Sequence, residues 1–400
     1  MRPRQLKSAA RHLLSTQPYE HDGIGIDLRY GAGRGCYTKV PGGAIVRGGL
    51  ADFFTFTGGN QSYYRGPSGL LIPSVTNTPR VEYDTSGNAL GLLMETARTN
   101  SALWSRDFTN AAWVKVDITA AKDQTGVDGV ANSASSLTAD ASGGTVLQTI
   151  VLAAVVRTLS FYMKRITGTG PVSISQDGVT FTDISGDLDA LSPEYPWVRV
   201  SLTATQLNPI IGIEMSGSGD VIAVDFATIE AGAAASSCIP TTTVGVTRTA
   251  DRCVRTLGTE FSATAGTLAI AGTSSQAQDA ANSQFLYEIS DGTANERYVA
   301  FRVAATDTCR FNVIDGGAGQ GPINATLVSG AKFKMASAWA ANDLATSFNG
   351  GAAGTDASAT LPTVTTLDLG STLGLLQMNG HILRFDYWPV RQPNAFLLSR

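Results

Sequence analysis

Three histidines, His12, His21 and His381, are the side chains of this sequence suited to proton transfer at neutral pH, and they stand far apart in the chain. A nucleophilic triad needs a histidine beside a serine or cysteine and a carboxylate that orients it, and the sequence offers no such grouping. Acidic residues gather in Thr182-Asp183-Ile184-Ser185-Gly186-Asp187-Leu188-Asp189. Two carboxylates roughly 5 to 10 Å apart across a sugar would make a polysaccharide depolymerase, but the same residues suit an ordinary solvated β-turn, which is the preferred reading. The stretch lacks the twelve-residue calcium-loop pattern and its terminal bidentate Glu, so no metal is expected, and no cofactor either. Gly31-Ala32-Gly33-Arg34-Gly35 contains G-x-G without the strand–turn–helix setting of a phosphate cradle. Cys36, Cys238, Cys253 and Cys309 are scattered without C-x-x-C spacing, which argues against a zinc knuckle or redox pair and suits thiols made in a reducing compartment. A Cys238–Cys253 bridge stays open.

Two further groupings have chemistry to offer. Aromatic rings present flat faces on which sugars stack, so Trp113, Tyr195 and Trp197 in the first half and Tyr387 and Trp388 in the second are the candidate carbohydrate contacts. The competing reading is packing at the edge of a core. Glu95 and Arg98, three residues apart in Gly91-Leu92-Leu93-Met94-Glu95-Thr96-Ala97-Arg98-Thr99-Asn100, can pair in a tight turn. Exposed, such a pair contributes only tenths of a kcal/mol; buried between domains, it would fix their angle. Glu95, Arg98 and Asn100 are therefore expected to form a structural collar at a junction.

The elements that must position these residues read as strands. A chain of 400 residues with 43% hydrophobic content can bury two or three cores, and 43 glycines with only 16% charged residues describe short strands and tight turns. Residues 5–14 suggest a short basic amphipathic helix, so 1–22 is read as an N-terminal arm and 23–100 as a β-rich anchoring region ending in the collar. Leu159-Ser160-Phe161-Tyr162-Met163-Lys164 alternates apolar and polar residues, and similar runs recur at strand-plus-turn spacing, which gives a jelly-roll-like sandwich over 101–247. A Thr-rich polar connector carrying Arg248, Arg252 and Arg255 follows, then a second sandwich over 258–400. The expectation is a mainly β protein with tandem antiparallel sandwiches. A net charge of −4 gives no attraction for nucleic acid or anionic membrane. The apolar run 150–156 is too short to span a bilayer, and no signal peptide opens the sequence, so a soluble protein is expected.

Several of these motifs together resemble a module of tailed-bacteriophage structural proteins. In that family a "PR.DYD" segment precedes "GLLIEE.RTN" and then an "F..A.W.K" opening. This sequence has Pro79-Arg80-Val81-Glu82-Tyr83-Asp84, the Gly91–Asn100 stretch, and Phe108, Ala112, Trp113 and Lys115. Trp197-Val198-Arg199-Val200-Ser201-Leu202 and Ile229-Glu230-Ala231-Gly232 continue the likeness, with Cys238 where the family carries Tyr. The last third, through Asn379-Gly380-His381-Ile382-Leu383-Arg384-Phe385-Asp386-Tyr387-Trp388, resembles a concanavalin- or laminin-G-like sandwich. The resemblance implies a non-enzymatic virion component assembled in the host cytoplasm. A tail fibre or tail-tip protein is the first expectation and a capsid decoration or head-fibre protein the alternative. Its partners would be other virion proteins, further copies of itself as a homo-oligomer, with a trimer expected, and host cell-surface polysaccharide.

Overall fold

The computed structural model describes residues 21–30, 35–189, 196–274, 282–304, 306, 308–326 and 331–400; the expected helical arm falls almost wholly outside them. The chain is mainly β, in antiparallel sandwiches as expected.

One sandwich comes from a single stretch. Five strands run in the order Val114–Val116, Gly144–Thr149, Ile210–Met215, Val172–Ser175, Thr182–Asp183. They face a sheet ordered Ile118–Gln124, Ala134–Ala139, Val221–Ala231, Val155–Thr167, Val198–Gln206. The edge strand Val198–Gln206 alternates less and more exposed residues from Val200 onward, as one solvated face requires. Val221–Ala231 is buried almost throughout, because one face lies on the core and the other meets a separate cluster around Phe226. Phe108, Trp113, Leu159, Phe161, Ile213 and Ile229 lie in the core.

The other sandwich draws on both ends of the described chain. Its larger sheet centres on Gly380–Trp388, which pairs along one edge with Ala265–Ser274. Along the opposite edge two N-terminal strands meet it in succession: Ala89–Met94 pairs with residues 380–382, and Gly23–Asp27 with 384–387. The facing sheet likewise takes in Thr55–Thr57 beside Arg252–Thr256. Ile24, Ile26, Leu92 and Met94 share one core with Leu268, Trp339 and Phe385. The division expected between an anchoring region at 23–100 and a sandwich beginning at 258 is therefore corrected. The 101–247 sandwich is inserted into a host built from the chain before and after it. Alternation within each strand could not reveal this, because it reports which face is buried and not which distant strand lies alongside.

Gly91 shows how closely the two segments approach. Its φ is +126°, and a Cβ there would sit 2.3 Å from the carbonyl oxygen of Ile382. A side chain at this position would force the strands apart.

Candidate functional site

The inserted sandwich leaves its host through a two-stranded antiparallel ribbon, Arg98–Asn100 against Val246–Arg248, in the register Asn100↔Val246 and Arg98↔Arg248. Thr99 Oγ1 and Thr247 Oγ1 lie 2.7 Å apart across it. Two strands alone are marginally stable in water, so the ribbon needs support at its base. That support is a cluster of four buried charges.

Glu95 closes the strand Ala89–Met94, and Arg80 opens the neighbouring one, with its carbonyl accepting a bond from Leu93 N–H at 2.8 Å. Arg248 ends the ribbon, and Asp251 leads into Arg252–Thr256. All four side chains are buried. Arg80 Nη1 donates to Glu95 Oε2 at 2.9 Å, and its Nη2 donates to Asp251. Arg248 Nη1 lies 3.0 Å from Glu95 Oε2, while its Nη2 donates to the Thr96 carbonyl at 2.7 Å. Ser237, ten residues before the inserted segment ends at about 247, donates from N–H and Oγ–H to the Glu95 carboxylate at 2.8 and 2.7 Å. Glu95 N–H donates in turn to Asp251 Oδ2 at 2.8 Å.

Burial by itself would raise the Glu95 carboxyl. The guanidinium groups of Arg248 and Arg80, with the Ser237 bonds, outweigh it and hold the group down at about 2. Asp251 goes the other way: burial raises it, and Arg80 and Arg248 offset that only in part, with Glu95 adding to the rise. Asp251 Oδ1 and the Nε atoms of Arg80 and Arg248 lack partners among the described residues. An ion cluster left partly unsatisfied adds little net stability over apolar packing, while losing one member of it carries a heavy penalty.

Two more contacts clamp the junction. Asn100 is fully buried and makes four bonds: Nδ2 donates to Ala227 O and Ile239 O at 2.9 and 2.8 Å, and Oδ1 accepts from Ala102 and Ile229 N–H at 3.0 Å each. The hairpin Tyr63–Arg65 with Leu71–Pro73 reaches from the host side, with Tyr63 N–H on Cys238 O at 2.7 Å and Leu71 N–H on Val127 O at 3.1 Å. Leu71 packs there with Tyr162, Phe226 and Cys238. Cys238 and Cys253 are both buried free thiols, so no bridge joins them.

The collar residues thus converge, in a pairing the sequence did not give. What acts on the Glu95 carboxylate is Arg248, Arg80 and Ser237, while Arg98 is half-buried with its Nε 3.9 Å from Glu230. Arg80 stood in the "PR" of the recognised motif, and Arg248 and Asp251 stood in what read as a polar connector. Four charged residues in an otherwise Thr-rich linker, Arg248, Asp251, Arg252 and Arg255, were the signal available.

Most of the aromatic candidates are not open to a sugar. Trp113 is buried in the inserted core, stacked on Phe108 at 4.5 Å, with Nε1–H on the Trp104 carbonyl. Tyr387 points into the host core beside Phe261, and its hydroxyl accepts from Ser262 N–H at 2.9 Å. Trp388 faces the opposite side of the same strand but lies beneath His21, stacked at 4.2 Å, and against Phe396 of the helix Asn394–Leu397. Trp197 is half-buried with Lys164 Nζ 4.9 Å above its ring. Tyr195 lies outside the described residues. Alternation accounts for this: Tyr387 is in phase with Phe385, which faces the core, and Trp388 is on the face that the helix covers.

Beside that helix the outer face of the larger host sheet stays uncovered and forms a groove of about 590 Å³. Ala271 and Gly272 floor it, and Lys332, Lys334, Thr273 and Leu383 line it. The acidic stretch does structural work: Asp183 accepts from Ser185 N–H and Oγ–H at 2.9 and 2.6 Å, and Asp189 pairs with Arg165 at 2.8 Å. His381 bridges Glu82 and Thr273 at 2.7 and 3.1 Å. Among the described residues, no group of three or more His, Cys, Asp or Glu is placed to hold a metal, and no helix is long and apolar enough to cross a membrane.

The fold and junction define an all-β protein with one sandwich inserted in another. No family model matches the chain, and no curated protein matches it. Among solved structures it is similar to the Ruminococcus gnavus IT-sialidase CBM40 bound to alpha2,3 sialyllactose, at 13% identity and TM-score 0.30, over 34% of this chain and 83% of that one. It is similar also to a native heptameric SAP-like pentraxin from Limulus polyphemus, at 12% identity and TM-score 0.27, over 37% of this chain and 74% of that one. The CBM22-1-CBM22-2 tandem domain of Paenibacillus barcinonensis Xyn10C matches at 10% identity and TM-score 0.24, over 75% of this chain and 97% of the other. At these TM-scores the overlaps fix neither the arrangement of the chain nor a ligand.

Proposed function

We propose that this chain is a non-enzymatic structural component of a bacteriophage virion, a tail fibre or tail-tip protein whose rigid junction aims one sandwich away from the other. The buried Arg80–Glu95–Arg248–Asp251 cluster carries this reading. The motif residues behind the family resemblance, Arg80, Gly91, Glu95 and Asn100, are the ones that build the junction or the strand pairing beneath it. The resemblance therefore concerns a device for holding two sandwiches at a fixed angle, which a projecting particle component needs and a soluble catalyst does not. Partners would be neighbouring virion proteins and further copies of the chain.

Contact with host-surface glycan belongs to the groove beside the C-terminal helix. At about 590 Å³ it is of small-ligand size, and it combines an apolar floor with the ammonium groups of Lys332 and Lys334. Immunogold labelling of intact particles tests the first part: label over the tail is expected, and label over the head would transfer the chain to the decoration class. Glycan binding before and after the double substitution Lys332→Ala with Lys334→Ala tests the second, with loss of binding expected. Sustained release of reducing sugar from host capsule would overturn the non-enzymatic reading.

A further inference from the structure

The "F..A.W.K" opening of the inserted sandwich takes no part in the junction or the groove. We propose that residues 108–113 form a cation cage, with the Lys115 ammonium as its resident cation and a free monovalent cation of similar size as the ligand it accepts when that side chain is shortened.

Lys115 Nζ lies 3.1, 3.3, 3.2 and 2.8 Å from the carbonyl oxygens of Phe108, Thr109, Asn110 and Trp113. An ammonium has three N–H bonds, so it cannot give each of four carbonyls its own linear hydrogen bond. The geometry is that of one positive charge among four dipoles.

The carbonyls are brought together without help from the lysine. Phe108 and Trp113 are buried and stacked at 4.5 Å, which fixes both ends of the loop in the core. Between them, Asn110 Oδ1 accepts from Ala112 N–H at 2.9 Å, and Asp107 Oδ1 accepts from Thr109 N–H and Oγ–H at 3.1 and 2.6 Å. Trp113 N–H donates to Asn110 O at 3.1 Å. With the loop so held, removing the ammonium leaves four oxygens aimed at one point. Burial acts against the charge and lowers the ammonium's pKa, while the Asp107 carboxylate acts the other way and favours a cation there.

The spacing selects the ion. Oxygens 2.8 to 3.3 Å from the centre stand further out than the roughly 2.3 to 2.6 Å of calcium sites or 2.0 to 2.1 Å of magnesium sites. Ammonium and potassium fit without contracting the loop.

The test uses the full chain carrying Lys115→Ala, melted in equal concentrations of ammonium, potassium and tetramethylammonium chloride. The variant should melt well below wild type in tetramethylammonium, which is too large for the cage, and ammonium or potassium should restore at least half of the loss. Wild type should melt alike in all three. Equal melting of the variant in all three salts, or better restoration by calcium than by potassium, would overturn the proposal. If the variant does not fold, acetylation of wild-type amines followed by mass spectrometry decides: Lys115 should react about tenfold or more slowly than exposed Lys332, since even one charge-assisted bond is worth that factor. Equal rates would show that the ammonium is not held.

Discussion

The inserted sandwich takes its core from residues 102–229, whereas its host takes Ile24, Ile26, Leu92 and Met94 from before the insertion and Leu268, Trp339 and Phe385 from after it. A sandwich made of neighbouring segments can close through local contacts. One whose central strand needs partners from both ends must first close a loop the length of the insertion. The buried charges lie where that loop closes, and they bind the insertion to its host through Ser237. The difference teaches that the module between Arg80 and Asn100 belongs to the host's own sheets as much as to the connection.

Separating the two parts gives the largest expected effect. Residues 101–247 expressed alone should fold and melt cooperatively, while residues 249–400 alone should not, because Gly380–Trp388 loses both partners along one edge. Circular dichroism with a urea titration checks this, and a cooperative transition in the C-terminal piece would break the comparison. Next come two substitutions of similar size and different reach. Trp113→Ala should cost about 3–5 kcal/mol, confined to the inserted sandwich, by opening a cavity beside Phe108. Glu95→Ala should also cost about 3–5 kcal/mol, by leaving Arg80 and Arg248 buried with one carboxylate fewer, and should split the unfolding of the whole chain into two steps. A change below about 1 kcal/mol for Glu95→Ala would show that the cluster does not hold the parts together. Asn100→Ala should cost less, about 1–3 kcal/mol, since it strands the backbone groups of Ala102, Ala227, Ile229 and Ile239 in the inserted sandwich but leaves the charges in place.

What the sequence disclosed follows the same division. Strands such as Val155–Thr167 and Gly380–Trp388 were legible because their side chains alternate over a local span. The collar was legible as a junction because Glu95 and Asn100 sit where one run of strands ends and another begins. The partners of Glu95 were not legible, because Asp251 lies 156 residues away and Ser237 lies 142. Nor was the host's edge: Gly23–Asp27 is a five-residue strand, and its pairing with residues 384–387 is set by the folded sheet and by no local pattern. The aromatic candidates misled because ring chemistry is the same in a core as on a surface. Phase along the strand separates the two, and it placed Tyr387 inside with Phe385.

The smallest effect, and the one most specific to the cluster, is its response to acid. The Glu95 carboxyl is held at about 2 against an ordinary value of 4.5, so its contribution is present above that value and is lost as pH falls towards 2. Asp251 has its carboxyl raised, chiefly by burial, so the stability it contributes is present at low pH and is lost as pH rises through its folded value. Acidification therefore weakens the junction through Glu95 and relieves it through Asp251, and the net slope is smaller than the larger of the two alone. Glu95→Gln removes the first and keeps the second. Carboxylates elsewhere, such as Asp177 with its own value near 2, act equally on both proteins and cancel in the difference. Between pH 5 and 2.5, denaturant titrations should show wild type losing more stability than Glu95→Gln. Parallel curves would mean that Glu95 is not the ionised member of the cluster, and that Asp251 carries the charge facing Arg80 and Arg248.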